Sequence, residues 1–209
     1  MNVPTKEEIY SVLCARHTKE NQDKLMRAKV AVAGLGGLGS NIAVQLARVG
    51  IGQLHLIDFD TVDLSNLNRQ HYFIRHLGMN KTDALAQQLL QINPYLQIET
   101  DCIKLTEKNI AALLKDDDYI CEAFDVPENK AMLVNAVLEL FPHKKLVAAS
   151  GMAGFGDSNA IRTRKIMRNF YLCGDGESGI DTKKTLTAPR VALCAAHEAN
   201  MIVQLILEK

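Results

Sequence analysis

A glycine-rich turn between an apolar run and a helix constrains the fold of this chain more than any other feature. The apolar run is Val30 to Ala33, the glycines follow as Gly34-Leu35-Gly36-Gly37-Leu38-Gly39, and Ser40 to Val49 has helical character. A second apolar run ends at Asp58, about twenty residues beyond the glycines. This order predicts a strand, a turn whose backbone approaches a phosphate at a helix N-terminus, and a second strand ending in an acid for ribose hydroxyls. The alternative is a purely structural turn in which Asp58 caps a neighbouring group.

The rest of the chain continues the alternation of strands and helices. Further strands are predicted at 96–100, 119–124 and 146–149, helices at 107–114, 130–140 and 189–207, and short strands at 161–163 and 169–172. We therefore predict an α/β fold, a Rossmann-like, doubly wound, mainly parallel sheet with an antiparallel C-terminal extension. Residues 1–28 are predicted to form a helical arm that begins at a Thr5–Glu8 capping box, and residues 29–209 a single nucleotide-binding domain.

Length, charge and cysteine usage limit the classes of function. A chain of 209 residues is expected to form one domain of ordinary size, which leaves no room for a separate substrate domain. Its 24 basic residues equal its 24 acidic ones, which disfavours a nucleic-acid partner. No segment resembles a leader or is expected to be long enough to span a membrane. Five cysteines without a C-x-x-C pair indicate free thiols in a cytosolic protein and make a structural zinc doubtful.

A polar loop follows Asp58 where a plain dinucleotide fold would enter a helix. It begins at Asp60 and lies at the carboxyl ends of the strands, where open α/β sheets bind ligands. Arg69 in this loop can therefore reach a phosphate as a two-pronged donor. Lys81 opens the next helix, a position that disfavours a cation unless an anion lies nearby. A phosphate is one explanation for Lys81, and a lysine that points into solvent is the other.

Three further residues remain open to two interpretations. Asp125 follows the fourth strand and either holds Mg²⁺ or caps the next helix. Spacing alone favours a solvated surface charge for Arg16. Cys173 borders a polar stretch, Cys173 to Lys184, that is expected to be a mobile loop, so its thiol is expected to be exposed; it is either reactive or a plain surface thiol. Cys194 falls in the apolar final helix and is expected to be core.

Taken together, these stretches resemble the ThiF/MoeB/HesA family, bacterial relatives of ubiquitin-activating enzymes. The residues that carry the resemblance are Gly34 to Ser40, Asp58-Phe59-Asp60, Ser65-Asn66-Leu67-Asn68-Arg69-Gln70, Lys81, Ile92-Asn93-Pro94 and Asp125. The Asn-Leu-Asn-Arg-Gln motif is far more specific than the glycines. Later stretches, among them Glu122 to Asp125, Ala148 to Gly154 and Ala188 to Val191, are similar to the short ThiF-type proteins of thiamine biosynthesis.

The resemblance implies ATP-dependent adenylation of the C-terminal Gly-Gly carboxylate of a ThiS-like sulfur carrier, with release of pyrophosphate. The implied nucleotide-binding residues are Gly34, Gly36, Gly37, Gly39, Asp58, Asp60, Asn66, Arg69 and Lys81, with Asp125 on Mg²⁺. It also implies a homodimer, because Arg16 matches an arginine that the partner subunit contributes in this family. Many relatives carry a loop cysteine that forms a covalent intermediate, and Cys173 is the candidate here.

Other functions remain open at the level of sequence. Within the family, the substrate is alternatively the molybdopterin-synthase carrier MoaD, or the chain dehydrates a modified tRNA base, against which its zero net charge counts mildly. An NAD(P)-dependent oxidoreductase belongs to another class, but it has no use for Asn66, Arg69 and Lys81 arranged around a triphosphate. A non-catalytic binding partner is the third possibility, and it would not require these phosphate-handling positions.

Overall fold

Helices and strands alternate along the chain as the sequence predicts. The computed structural model describes residues 3–179 and 185–208. The helices are α1 Lys6–His17, α2 Lys19–Arg27, α3 Gly37–Val49, α4 Lys81–Ile92, α5 Ile110–Leu113, α6 Pro127–Leu140 and α7 Ala188–Leu207. The strands are β1 Lys29–Ala33, β2 Gln53–Ile57, β3 Gln97–Asp101, β4 Tyr119–Glu122, β5 Lys145–Ala149, β6 Arg162–Met167 and β7 Phe170–Gly174.

The strands form one sheet in the order β3-β2-β1-β4-β5-β7-β6. Strands β1 to β5 and β7 all run in the same direction, and the edge strand β6 pairs antiparallel with β7. The chain places β2 and β3 on one side of β1, and then β4 and the later strands on the other side. This is the arrangement of a doubly wound fold. The predicted fold class is confirmed, with the difference that β7 runs parallel to β5 and only the edge strand is antiparallel.

The central strands are buried on both faces, because helices cover each side of the sheet. Successive residues of β1 point into different cores: Val30 and Val32 join one cluster, and Ala31 and Ala33 join the other. Near-continuous apolar runs are the pattern of parallel strands that helices cover on both sides. This explains why the sequence shows short, uninterrupted apolar segments at β1, β4 and β5.

The final helix, α7, belongs to the first core. It packs mainly against α3, and its inward residues, such as Cys194 and Ile202, are fully buried. Its length and composition would suit a membrane span, against the expectation that no segment would be long enough; however, 56% of that stretch is buried within the protein. A helix of this kind is apolar over much of its surface because two layers of the protein contact it.

Three local predictions can be compared with the structure. The capping box at the start of α1 is confirmed, since Thr5 N–H donates to Glu8 at 2.7 Å and Glu8 N–H donates to Thr5 at 3.1 Å. The helix predicted at 107–114 contracts to α5. The stretch expected to be a mobile loop begins inside β7, and its residues 180–184 lie outside the described part of the chain.

A buried ionic cluster ties the edge of the sheet together. The imidazole of His55, in β2, lies 2.9 Å from the Asp117 carboxylate and 2.8 Å from that of Asp101. Lys29 adds an ion pair to Glu99 at 2.7 Å. Burial lowers the pKa of His55, but the hydrogen bond and charge of Asp117, the hydrogen bond of Asp101 and the charge of Glu99 outweigh it, so that the pKa is raised. The folded protein therefore favours the imidazolium.

This cluster predicts a pH dependence of stability. Because the folded-state pKa of His55 is raised, its contribution is fully present below the unfolded pKa of about 6.5 and is lost as the pH rises through the folded value. We expect the free energy of unfolding to fall over this window, by at most about 1.4 kcal/mol per pH unit for this proton. Denaturant unfolding from pH 6 to 9 should show a shallower decline in His55→Gln than in the wild type; parallel curves would contradict the assignment.

Candidate functional site

The candidate site lies at the carboxyl edge of the sheet, where the chain leaves the neighbouring strands β1 and β4, and we call this place the crevice. The glycine turn after β1 forms one wall, and residues 123–126 after β4 form the other. The two walls touch: a Cβ built on Gly34, whose φ is +92°, would lie 2.9 Å from the carbonyl oxygen of Ala123 and from a ring carbon of Phe124. Ligands of open α/β sheets bind at this point, where the direction of winding reverses.

One residue of the glycine turn, Leu35, has both its N–H and its carbonyl bound by buried side chains. The Leu35 N–H donates to Oδ2 of Asp58 at 2.6 Å, and the Leu35 carbonyl accepts from the Tyr72 hydroxyl at 2.8 Å. Burial raises the pKa of Tyr72, and the charges of Asp58 and Asp60 raise it further, so the hydroxyl stays a donor. Burial also raises the pKa of Asp58, although two backbone N–H groups and Lys81 oppose this.

The N-terminus of α3 faces the crevice. Gly36 occupies the N-cap position and offers no capping side chain. Ser40 Oγ donates to the Gly36 carbonyl at 2.6 Å, and Asn41 donates to the Gly37 carbonyl at 2.7 Å, so these bonds fix the turn from behind. An uncapped helix N-terminus presents N–H groups and a partial positive charge, which is the usual protein site for a phosphate.

The polar loop that follows Asp58 brings Arg69 close to the N-terminus of α3. Arg69 lies beside Gly37, since a Cβ on that glycine would come within 3.5 Å of the arginine Cγ, and its guanidinium donates to Asn68 Oδ1 at 2.8 Å. Asn66 shapes the loop: its Oδ1 accepts from the Asp63 N–H at 3.0 Å, and its carbonyl accepts from the Arg69 N–H at 3.2 Å. The guanidinium is thus held within reach of the α3 N-terminus.

Lys81 forms an ion pair at the start of α4. It is only 5% exposed, and its Nζ lies 2.7 Å from Oδ2 of Asp60. The interpretation of Lys81 as a lysine that points into solvent is therefore wrong. The anion that offsets its unfavourable position at a helix N-terminus is, in this structure, the Asp60 carboxylate. Because Asp60 is half exposed, an incoming phosphate can share or replace this pairing.

Asp125 stands at the second wall of the crevice with its side chain exposed. It does not cap α6, since Val126 holds the N-cap position and no side chain caps that helix. The helix-cap interpretation is therefore wrong, and the role of Asp125 as a Mg²⁺ ligand stays a prediction. A single exposed carboxylate at the carboxyl edge of a parallel sheet suits Mg²⁺, which keeps several waters and takes its other oxygens from substrate phosphates.

Arg16 lies away from this crevice. It is exposed in the last turn of α1. Helix α1 packs near the opposite edge of the sheet, where it lines a cavity with Gly50–Gln53 and Gln97 at the starts of β2 and β3. Tyr95 fixes the arm there by donating to the Pro4 carbonyl at 3.1 Å. A five-residue strand spans about 16 Å, so the arm and the crevice lie at opposite ends of the sheet.

The prediction of an exposed Cys173 is wrong. The residue lies in β7 with none of its surface exposed. Burial, together with the charge of Glu198, raises the pKa of its thiol to about 12, although a hydrogen bond with Thr163 lowers it slightly. A nucleophilic cysteine needs the opposite shift. The structure thus removes the observation on which a catalytic role for Cys173 depended, whereas the expected burial of Cys194 is confirmed.

The beginning of α7 borders the site, because a Cβ built on Gly37 would lie 2.9 Å from Cγ1 of Val191. Arg190 is buried and donates to the carbonyls of Ala153, Gly156 and Asp157, and its Nη2 lies 2.6 Å from the Asp175 carboxylate. Burial opposes the charge on Asp175, but hydrogen bonds from 177, 178 and Arg190 outweigh this and lower its pKa to about 2. Arg190 therefore anchors residues 153–157, which follow the carboxyl end of β5.

Sequence reasoning missed the side chains that support the site from behind. Tyr72, Ser40 and Asn41 bind backbone atoms of the glycine turn, and nothing in their local sequence marks them. Lys130 is different, because it is a cation near the N-terminus of a helix, the signal that singled out Lys81. Its partners are the Glu122 carboxylate and the Phe124 carbonyl.

Comparison with known proteins relates this geometry to a family. The sequence model of the ThiF family matches residues 10–209. A molybdopterin-synthase adenylyltransferase from Haemophilus influenzae is 39% identical over 136 residues, which cover 64% of this chain and 54% of that protein. The chain thus spans little more than half the length of that curated relative.

Two solved structures share the fold. The E. coli tRNA N6-threonylcarbamoyladenosine dehydratase TcdA, in complex with ATP, superposes with a TM-score of 0.87 at 21% identity, covering 99% of this chain and 98% of that one. E. coli MccB with ATP superposes with a TM-score of 0.69 at 26% identity, covering 95% and 63% of the two chains.

The burial of the cysteines predicts their reactivity. Cys102 is exposed and Cys14 half-buried, whereas Cys121, Cys173 and Cys194 are buried. Burial raises the pKa of all three buried thiols. We expect iodoacetamide at pH 7.5 to label Cys102 first, then Cys14, and to leave the buried thiols unlabelled until denaturant is added. Peptide mass spectrometry identifies the sites, and rapid labelling of Cys173 in the native protein would restore it as a candidate nucleophile.

Proposed function

The chain belongs to the ThiF family, and we propose that it adenylates the C-terminal Gly-Gly carboxylate of a small ubiquitin-fold sulfur carrier at the expense of ATP. The observation that carries this proposal is the crevice itself. An uncapped helix N-terminus, Arg69, the Lys81–Asp60 pair and the exposed Asp125 lie around one opening at the carboxyl edge of the sheet. A hydride-transfer enzyme does not need these cations, so the oxidoreductase alternative has no support.

The chemistry matches such a site. An oxygen of the carrier carboxylate attacks the α-phosphorus of ATP, the bond to the bridging α–β oxygen breaks, and pyrophosphate leaves with the electron pair. Two anions must meet in line, so the protein has to neutralise charge and fix geometry rather than supply a strong acid or base.

Each residue predicted to bind the nucleotide or its metal ion has a place in this scheme, whereas Cys173 has none. The glycines of the turn, Gly34, Gly36, Gly37 and Gly39, line the nucleotide, and Asp58 accepts from ribose while it holds the Leu35 N–H. Arg69 and Lys81 bind the phosphates, with Asn66 supporting the loop. Asp125 would hold Mg²⁺, which would supply positive charge at the phosphates. The carrier tail enters beneath segment 150–157.

The ThiS-like carrier of thiamine biosynthesis is our first choice of substrate. Its support is the similarity of Glu122 to Asp125, Ala148 to Gly154 and Ala188 to Val191 to short ThiF-type proteins. A MoaD-type carrier is the second candidate, since the Haemophilus influenzae relative is named for molybdopterin synthase. The likeness to the tRNA dehydratase concerns the fold alone, and a net charge of zero does not favour RNA. Such carriers act in the cytosol, where free cysteines persist.

We further propose a homodimer in which Arg16 completes the partner subunit's site. The arm that bears Arg16 lies at the edge of the sheet opposite its own crevice. An arginine that acts at the phosphates must therefore come from another copy of the chain. A two-fold axis makes this exchange reciprocal, so each subunit supplies one arginine and receives one.

Pyrophosphate exchange tests the reaction and its substrate. We expect purified protein with ATP and Mg²⁺ to incorporate labelled pyrophosphate into ATP only when a ThiS-like carrier ending in Gly-Gly is present. Asp125→Ala should lower the rate by at least about a hundredfold, because charge stabilisation at the phosphates is lost. Glu139→Ala, which removes an exposed acid in the last turn of α6, away from the crevice, serves as the matched control. Exchange with a MoaD-like carrier alone would reassign the substrate, and no exchange with either would refute the proposal.

Subunit complementation tests the origin of Arg16. Arg16→Ala and Asp125→Ala homodimers should each be nearly inactive. A differently tagged heterodimer of the two variants contains one site with both residues if Arg16 acts across the interface, so we expect about half of the wild-type turnover per dimer. If Arg16 served its own subunit, neither site of the heterodimer would be complete and the activity would stay at background. Arg27→Ala, another exposed arginine near the arm, is the control.

A further inference from the structure

The second wall of the crevice contains a buried ion pair to which the proposed reaction assigns no role. Glu122, at the end of β4, is fully buried, and its carboxylate lies 2.9 Å from Nζ of Lys130 in α6. Burial raises the pKa of Glu122, and Lys130 opposes this. A buried pair of this kind adds little net stability compared with apolar residues, so its presence beside the site calls for another explanation.

The pair holds one residue of the wall by both ends of its backbone. The Phe124 N–H donates to Oε1 of Glu122 at 2.7 Å, and the Phe124 carbonyl accepts from Lys130 Nζ at 2.9 Å. Phe124 is the residue immediately before Asp125. The arrangement parallels the opposite wall, where Asp58 and Tyr72 bind the N–H and carbonyl of Leu35. Each wall therefore has one residue whose N–H and carbonyl are fixed by two side chains.

Lys130 is committed to this contact rather than free to bind a ligand. Its Nζ already donates to two acceptors, Glu122 and the Phe124 carbonyl, and the side chain is only 20% exposed. A second acid, Glu198 of α7, is fully buried nearby, and neither of its carboxylate oxygens has a hydrogen-bond partner among the described residues. Burial raises its pKa well above the ordinary value, so it stays neutral and does not draw Lys130 away from Glu122.

We propose that Glu122 and Lys130 are positioning residues that aim the Asp125 carboxylate at the metal ion of the bound nucleotide. This inference rests on the proposed function, because it assumes that Asp125 holds Mg²⁺. Neither residue touches the reacting atoms. They fix the peptide that precedes the metal ligand, as outer residues orient the ligands of other metal sites. Without them, the exposed Asp125 would sample other orientations and bind the metal more weakly.

Calorimetry of ATP binding at graded Mg²⁺ concentrations tests this without a carrier protein. For Lys130→Met we expect the Mg²⁺ concentration that gives half of the maximal affinity to rise by about ten- to a hundredfold, the usual cost of losing an outer orienting residue. The ATP affinity at saturating Mg²⁺ should recover. Lys130→Arg keeps the cation and should restore part of the Mg²⁺ response. Lys29→Met is the matched control, because Lys29 is 19% exposed and pairs with Glu99 at 2.7 Å at the opposite edge of the sheet.

The variants separate the proposal from its alternatives. Equal Mg²⁺ curves for Lys130→Met and Lys29→Met would show a merely structural pair and overturn the inference. Weaker ATP binding at every Mg²⁺ concentration, with the curve unshifted, would make Lys130 a phosphate ligand and also overturn it. If Lys130→Met fails to fold, Glu122→Gln provides the same test. A wild type that binds ATP independently of Mg²⁺ would refute the metal role of Asp125 and the inference with it, whereas a shift confined to the control would refute the inference alone.

Discussion

The close approach of α3 to β1 is the constraint on which the site depends. A Cβ at Gly39 would lie 1.8 Å from the carbonyl oxygen of Gly34, so no other residue fits there without moving the helix. This contact places the N-terminus of α3 at the carboxyl edge of the sheet, with its N–H groups directed into the crevice. Arg69 and Lys81, together with the fixed residues Leu35 and Phe124, are arranged around that terminus. An outward movement of the helix would separate the terminus from these residues.

Two lysines at the site form ion pairs within the protein itself. Lys81 lies against Asp60, and Lys130 against Glu122, each near the N-terminus of a helix where a cation alone is unfavourable. The two pairs differ in burial. Asp60 is half exposed and can give way to a phosphate, whereas Glu122 is enclosed and retains its lysine. In the proposed function the two ion pairs therefore have different roles. Lys81 is available to a phosphate, whereas Lys130 holds the segment after β4 in place.

The sequence predicted the sheet well because its evidence is local. Short apolar runs, the glycine turn and Asp58 follow one another along the chain, and each depends on neighbouring residues. It failed at Cys173, because Gly174 and the acids that follow suggested a loop, whereas pairing of β7 with β5 and β6 buries the thiol. Tyr72 was missed for the same reason. Its hydroxyl binds Leu35, 37 positions earlier, and no local pattern records such a contact.

In the proposed homodimer, the position of the arm makes the activity depend on assembly. The residues that surround the glycine turn can be predicted from the sequence of one chain. The proposed role of Arg16 cannot, because it depends on the position of the arm at the end of the sheet opposite the crevice. A site that borrows a cation across a two-fold axis is incomplete in a monomer, so dilution would lower activity by removing a phosphate ligand and not by unfolding the subunit. In this arrangement α1 needs little contact with its own sheet, which agrees with the absence of any buried residue along that helix.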